Sequence, residues 1–195
     1  MKIFVKICGI KTEEAINAAI DAKVDALGFV FYENSPRNID ISTAIRISKL
    51  VPDSIKIVAV MLHPSNKFWC NVQDNFKPDV LQTDLEDFTY LSVNSHIEKW
   101  PVIREGKNII DFPSKFVYEG KNSGKGQVVD WVKAAKIAIK GKMILAGGLS
   151  VDNVQDAVKE VSPYGVDVSS AVESKIGVKD VEKIKIFVER ARTEN

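Results

Sequence analysis

The chain has only two cysteines, Cys8 and Cys70, and only two histidines, His63 and His96, in 195 residues. Two thiols cannot build a disulfide framework, and no spacing among these four residues fits a metal site. An excess of one charge is also missing, with 27 Lys plus Arg against 26 Asp plus Glu and a formal net charge of +1. That balance gives no support for a nucleic-acid or acidic-membrane partner. No apolar run approaches the roughly 20 residues of a membrane span. The first residues lack the basic-then-apolar order of a signal peptide, so a cytoplasmic, reducing setting is expected. The basic residues Lys175, Lys179, Lys183 and Lys185 read as the solvated face of a last helix.

What the chain does have is 45% hydrophobic residues, enough for one good-sized core and a single domain over residues 1–195. Short β-branched runs alternate with longer amphipathic ones. The strand candidates are Lys2–Cys8, Ala26–Phe31, Lys56–Leu62, Val80–Thr83, Val102–Arg104, Phe116–Glu119, Met143–Ala146 and Val166–Ser169. Thr12 followed by Glu13 and Glu14 marks a helix start, as does Ser150 followed by Val151, Asp152 and Asn153. Eight strands separated by helices read as an α/β chain folded as a single (β/α)8 TIM barrel. Between the fifth and sixth strands Pro113 limits any helix, so a loop is expected there. The chain is short for a barrel, and a doubly wound sheet with fewer strands is the alternative architecture.

In such folds the chemistry collects at the carboxyl ends of the strands. Phe4, Lys6 and Cys8 share one strand face, which presents Cys8 at that end. Later strand ends carry Ser35-Pro36-Arg37, Asp84, Arg104, Glu119, Gly147-Gly148 and Ser169-Ser170. Backbone N–H groups of such glycine and serine stretches suit a phosphate. A thiol facing two of them suggests an enzyme acting on a small phosphorylated molecule. Cys70, inside a helix pattern, reads as a structural residue.

Several of these segments together carry a resemblance. Val5-Lys6-Ile7-Cys8-Gly9-Ile10, Ser35-Pro36-Arg37, Ala146-Gly147-Gly148-Leu149 and Tyr164-Gly165-Val166-Asp167-Val168-Ser169-Ser170 closely resemble the phosphoribosylanthranilate isomerases of tryptophan biosynthesis. The likeness is collinear from residue 3 to about residue 190. It implies a (β/α)8 barrel that needs no metal or organic cofactor and exists as monomer or homodimer. It also implies an Amadori rearrangement of N-(5-phosphoribosyl)anthranilate to a 1-deoxyribulose 5-phosphate product. By the same resemblance Cys8 is the general base and Glu119 the general acid, with Asp130 as the fallback acid. Arg37 meets the anthranilate carboxylate and Asp167 the substrate's amine. Gly147, Gly148, Ser169 and Ser170 hold the phosphate, and Gly124 and Gly126 form a flap over it.

The residue types suit that chemistry. Ring opening needs an acid for the furanose oxygen, and the next step needs a base for the C2 proton. Positive charge near Cys8 would raise its thiolate fraction, and Lys6 shares its strand face. The chain also departs from the family pattern. Glu119 stands where an aspartate is usual, Asp84 replaces a histidine, and Arg104 replaces a lysine. Asp84 and Arg104 are expected either to pair or to face solvent. His63 reads as a loop residue. Among rival phosphosugar barrels, an indole-glycerol-phosphate synthase needs an early lysine and glutamates, and a pentose-phosphate epimerase needs metal-binding histidines. Neither set is evident. A non-catalytic phosphate-binding barrel is the rival from a different class.

Overall fold

The computed structural model describes residues 2–121 and 128–193. Eight strands form β1 (Phe4–Cys8), β2 (Ala26–Val30), β3 (Lys56–Val60), β4 (Val80–Asp84), β5 (Glu98–Arg104), β6 (Lys115–Glu119), β7 (Lys142–Leu145) and β8 (Gly165–Val168). Each runs parallel to its neighbours, and β1 pairs with both β2 and β8. The sheet is therefore a closed barrel, and the open doubly wound alternative falls.

Among the described residues six helices surround it: α1 (Glu13–Asp21), α2 (Ile41–Ser48), α3 (Asn66–Phe76), α4 (Trp131–Ala138), α5 (Val154–Val161) and α6 (Val181–Arg192). Their starts are set by side chains that accept otherwise unpaired N–H groups. Thr12 accepts from Ala15 at 3.2 Å, Asp40 from Thr43 at 2.8 Å, Ser65 from Phe68 at 3.2 Å and Asp180 from Lys183 at 3.1 Å. Residues 105–114 contain no helix, as Pro113 implies. After β4 a 3₁₀ turn over Leu85–Thr89 also stands in place of a full helix. The helix expected to follow Ser150 at once begins three residues later. Asn153 instead clamps the turn, accepting from Ser150 N at 2.8 Å and donating to Gly148 O at 2.9 Å.

An unexpected hairpin, β9 (Glu173–Lys175) and β10 (Val178–Lys179), lies between β8 and α6. It corrects the reading of the late lysines. Lys175 and Lys179 precede α6, and the Lys179 side chain is only 2% exposed because its ammonium pairs with Glu173 at 2.9 Å.

One apolar layer fills the space between barrel and helices. A second lies inside the barrel, built from Ala26, Val58, Val80, Trp100, Val102, Val117 and Ile144. At the amino ends of the strands Phe4 stacks on Tyr164 with centroids 5.5 Å apart. Lys115 Nζ lies 4.1 Å from the centre of the Trp100 ring. An ammonium over an aromatic face is a favourable contact, and this floor fills the lower barrel. The carboxyl ends are left to shape a cavity. Among the described residues no helix is long and apolar enough to cross a membrane.

Candidate active site

A cavity of about 1200 Å³ opens at the carboxyl ends of the strands. Its wall includes Cys8, Arg37, Glu119, Gly147, Gly148 and Asp167, together with Ser169 and Ser170. The barrel thus gathers Cys8, Arg37, Glu119, Gly147, Gly148, Asp167, Ser169 and Ser170, as expected from the sequence, whereas Gly124 and Gly126 lie outside the described residues.

Cys8 ends β1 and is buried. Directly below it on the same face, the Lys6 ammonium is wholly buried and sits 2.8 Å from Asp167 Oδ2 across the β1–β8 seam. Burial alone disfavours the charge on Lys6, but Asp167 and Cys8 outweigh it and hold the ammonium above its ordinary value. For Cys8 the balance runs the other way. Burial pushes its thiol up, and the nearby charges of Lys6 and Lys179 pull it down without prevailing. Lys6 thus favours the thiolate, as expected, but desolvation is the larger effect and the thiol is raised overall. Space for the pair exists because residue 28 is glycine. A Cβ there would lie 2.9 Å from Cys8 Sγ and 3.1 Å from Lys6 Nζ.

On the β1–β8 side Arg37 donates to Glu173 through Nε at 2.7 Å and Nη2 at 2.9 Å. Glu173 also accepts from Lys179 Nζ at 2.9 Å and from Gly177 N at 3.1 Å. One carboxylate therefore stands between two cations, leaving this wall net positive. Nearby, Gly147 and Gly148 hold φ values of 87° and 67°, which favour glycine over any other residue. Ser169 donates to Cys8 O at 3.0 Å, tying the loop after β8 to the end of β1.

The opposite wall carries a cluster of acidic and basic groups. Arg104 contacts Asp84 at 2.6 Å and Glu119 at 2.9 Å, so Asp84 and Arg104 pair rather than face solvent. His63 has φ 45° and holds Nδ1 2.9 Å from Asp87 Oδ1. That hydrogen bond holds the imidazolium above the ordinary histidine value, with burial opposing. His63 is thus part of the cavity rim and not merely a loop residue. Asp130 is not in the wall. It caps α4, accepting from Lys133 N at 3.0 Å, and the same bond lowers its carboxyl below the usual range.

The match to known proteins decides the family. Residues 5–190 fit the family model described as N-(5'-phosphoribosyl)anthranilate (PRA) isomerase. The chain belongs to the N-(5'-phosphoribosyl)anthranilate isomerase family.

A relative of that name from Geotalea daltonii is 37% identical over 96% of this chain and 96% of its own. Among solved isomerases, one in complex with reduced 1-(o-carboxyphenylamino)-1-deoxyribulose 5-phosphate superposes with TM-score 0.81 at 26% identity. It covers 97% of this chain and 98% of its own. A monomeric form of the dimeric isomerase from Thermotoga maritima gives TM-score 0.83 at 28% identity, with the same coverage.

Within this isomerase frame, Gln82 and Glu173 had no expected site role, and Lys179 was expected on a solvated helix face. Gln82 lines the cavity with a buried Oε1 that has no hydrogen-bond partner among the described residues, and Asp167 Oδ1 is in the same state. Position at a strand's carboxyl end pointed to Gln82. Glu173 is paired with Arg37, distant in sequence, and Lys179 with Glu173.

Proposed function

We propose that this chain isomerises N-(5'-phosphoribosyl)anthranilate to 1-(2-carboxyphenylamino)-1-deoxyribulose 5-phosphate in tryptophan biosynthesis, and that Cys8 and Glu119 carry the proton transfers. The observation that carries the reading is the convergence of a buried thiol and a carboxyl group on one cavity of a family barrel.

Glu119 gives a proton to the furanose ring oxygen. The C1–O bond breaks, the anthranilate nitrogen lone pair forms C=N, and the ring opens to an iminium ion. The Cys8 thiolate then takes the C2 proton, and those electrons fall into the C1–C2 bond as C=N becomes C–N. The enolamine so formed tautomerises to the ketone, so no electrons or atoms are gained overall. Glu119 is left as a carboxylate, with the Arg104 guanidinium 2.9 Å away.

Gly147, Gly148, Ser169 and Ser170 receive the phosphate on backbone N–H groups and hydroxyls, beside the net positive wall. Arg37 is steadied by Glu173 on two of its nitrogens, and it turns its remaining edge to the anthranilate carboxylate. A guanidinium fixed in this way is pre-organised for a planar anion. Asp167 Oδ1, without a hydrogen-bond partner among the described residues, accepts from the substrate's amine. The same reading places the protein in the cytoplasm as a monomer or homodimer. Anthranilate fluorescence tests the whole: the purified chain should consume N-(5'-phosphoribosyl)anthranilate generated in situ, with loss of signal. A folded chain that binds the product analogue but leaves the signal unchanged would favour a binding protein instead.

A further inference from the structure

We propose that Arg104 is a positioning residue for the reaction, holding the Glu119 carboxyl at the barrel mouth by anchoring it to Asp84. The proposal rests on the reading of Glu119 as the acid. Asp84, Arg104 and Glu119 end three consecutive strands, and the β5–β6 register sets Arg104 directly opposite Glu119. Arg104 spends three donors on the two carboxylates. Nε and Nη2 reach Asp84 Oδ1 at 3.0 and 2.6 Å, and Nη1 reaches Glu119 Oε2 at 2.9 Å. All three side chains are largely buried, with exposures of 7%, 12% and 17% for Asp84, Arg104 and Glu119.

This arrangement answers the geometric difficulty of a glutamate acid. Glutamate has one more rotatable bond than aspartate, so an untethered carboxyl would sweep several rotamers across the cavity. A planar guanidinium clamped on one side by Asp84 selects one of them on the other side. It also separates two carboxylates that would otherwise repel at close range. When Glu119 releases its proton, the carboxylate that remains meets a cation already in place.

A double-mutant cycle of Arg104→Met, Glu119→Gln and the pair tests the assignment through kcat and KM. Arg104→Met should lower kcat by roughly tenfold to a hundredfold with little change in KM, as misplacement of a reacting group does. Glu119→Gln should lower kcat by about 10²–10⁴. The double variant should be no slower than Glu119→Gln alone, because Arg104 then has no acid left to place. Losses that multiply would overturn the positioning role while leaving Glu119 as the acid. A rise in KM with kcat unchanged would also overturn it, making Arg104 a substrate contact. Wild-type rates in Glu119→Gln would sink the acid reading, and the proposal with it. Where Arg104→Met does not fold, Arg104→Lys takes its place, with a smaller kcat loss and the same lack of additivity.

Discussion

At the scale of single residues, the site depends on how little space surrounds Cys8. The thiol, the Lys6 ammonium and the backbone of Gly28 occupy one small volume, and a methyl group at residue 28 would press on both side chains. Gly28→Ala is therefore expected to displace the base. The predicted result is a fall in kcat of roughly a hundredfold with KM little changed, read from steady-state turnover; an unchanged kcat would show that the thiol has room to shift. Lys6 and Cys8 also show what a sequence carries and what it hides. Alternation along β1 is enough to put Phe4, Lys6 and Cys8 on one face. It does not say whether a lysine beside a cysteine is wet or dry. Burial reverses the expected direction for the thiol, and burial is a property of the closed barrel, not of the strand.

At the scale of elements, the β9–β10 hairpin braces the loops on the positive wall. Glu173 binds Arg37 from the loop after β2, Lys179 from the facing strand and the Gly177 backbone in the turn. Truncating one partner of a buried ionic cluster leaves the others uncompensated. Glu173→Ala should cost about 3–5 kcal/mol in denaturant unfolding at neutral pH. Burial raises the Glu173 carboxyl, but Arg37 and Lys179 outweigh it and hold it below the ordinary glutamate range. A depressed folded value contributes stability above the unfolded value and loses it as pH falls through the folded one. The stability gap between wild type and Glu173→Ala should accordingly be widest at neutral pH and shrink in acid. A gap that is constant with pH would show that lost packing, not charge, is being measured.

The elements themselves were largely legible. The eight strand cores and the helix cap at Thr12 follow from alternation and cap chemistry, and Pro113 accounts for the missing helix after β5. The hairpin was not, because Glu173 is held by Arg37, 136 residues away in the chain, and Lys179 is held in turn by Glu173. Local periodicity therefore places those lysines on a helix face. The start of α5 was misplaced for a smaller reason: Ser150 has cap chemistry, yet Asn153 uses its side chain to hold the turn before the helix.

At the scale of the whole molecule, closing β1 onto β8 does two things at once. It brings Cys8 and Lys6 beside Asp167, and it sets the glycine and serine loops after β7 and β8 next to β1. The remaining strands carry Asp84, Arg104 and Glu119 to the far side of the same cavity. The result is a mouth with a net positive wall on the β1–β8 side and the Asp84–Arg104–Glu119 cluster facing it. The motifs at residues 5–10, 146–149 and 164–170 already resembled the family, because they sit at the strand ends that this closure brings together. An Asp84–Arg104 pair was one of the expected alternatives, but the further contact of Arg104 with Glu119 was beyond reach, since it is set only by the β5–β6 register.

The most direct test is turnover of N-(5'-phosphoribosyl)anthranilate by the intact chain and its Cys8→Ser variant, with binding of a reduced product analogue measured alongside. The account predicts rapid turnover by wild type, a loss of about 10²–10⁴ in kcat for Cys8→Ser, and analogue binding retained in both. Wild-type turnover by folded Cys8→Ser would contradict it, because the proton at C2 would then be leaving to some other group.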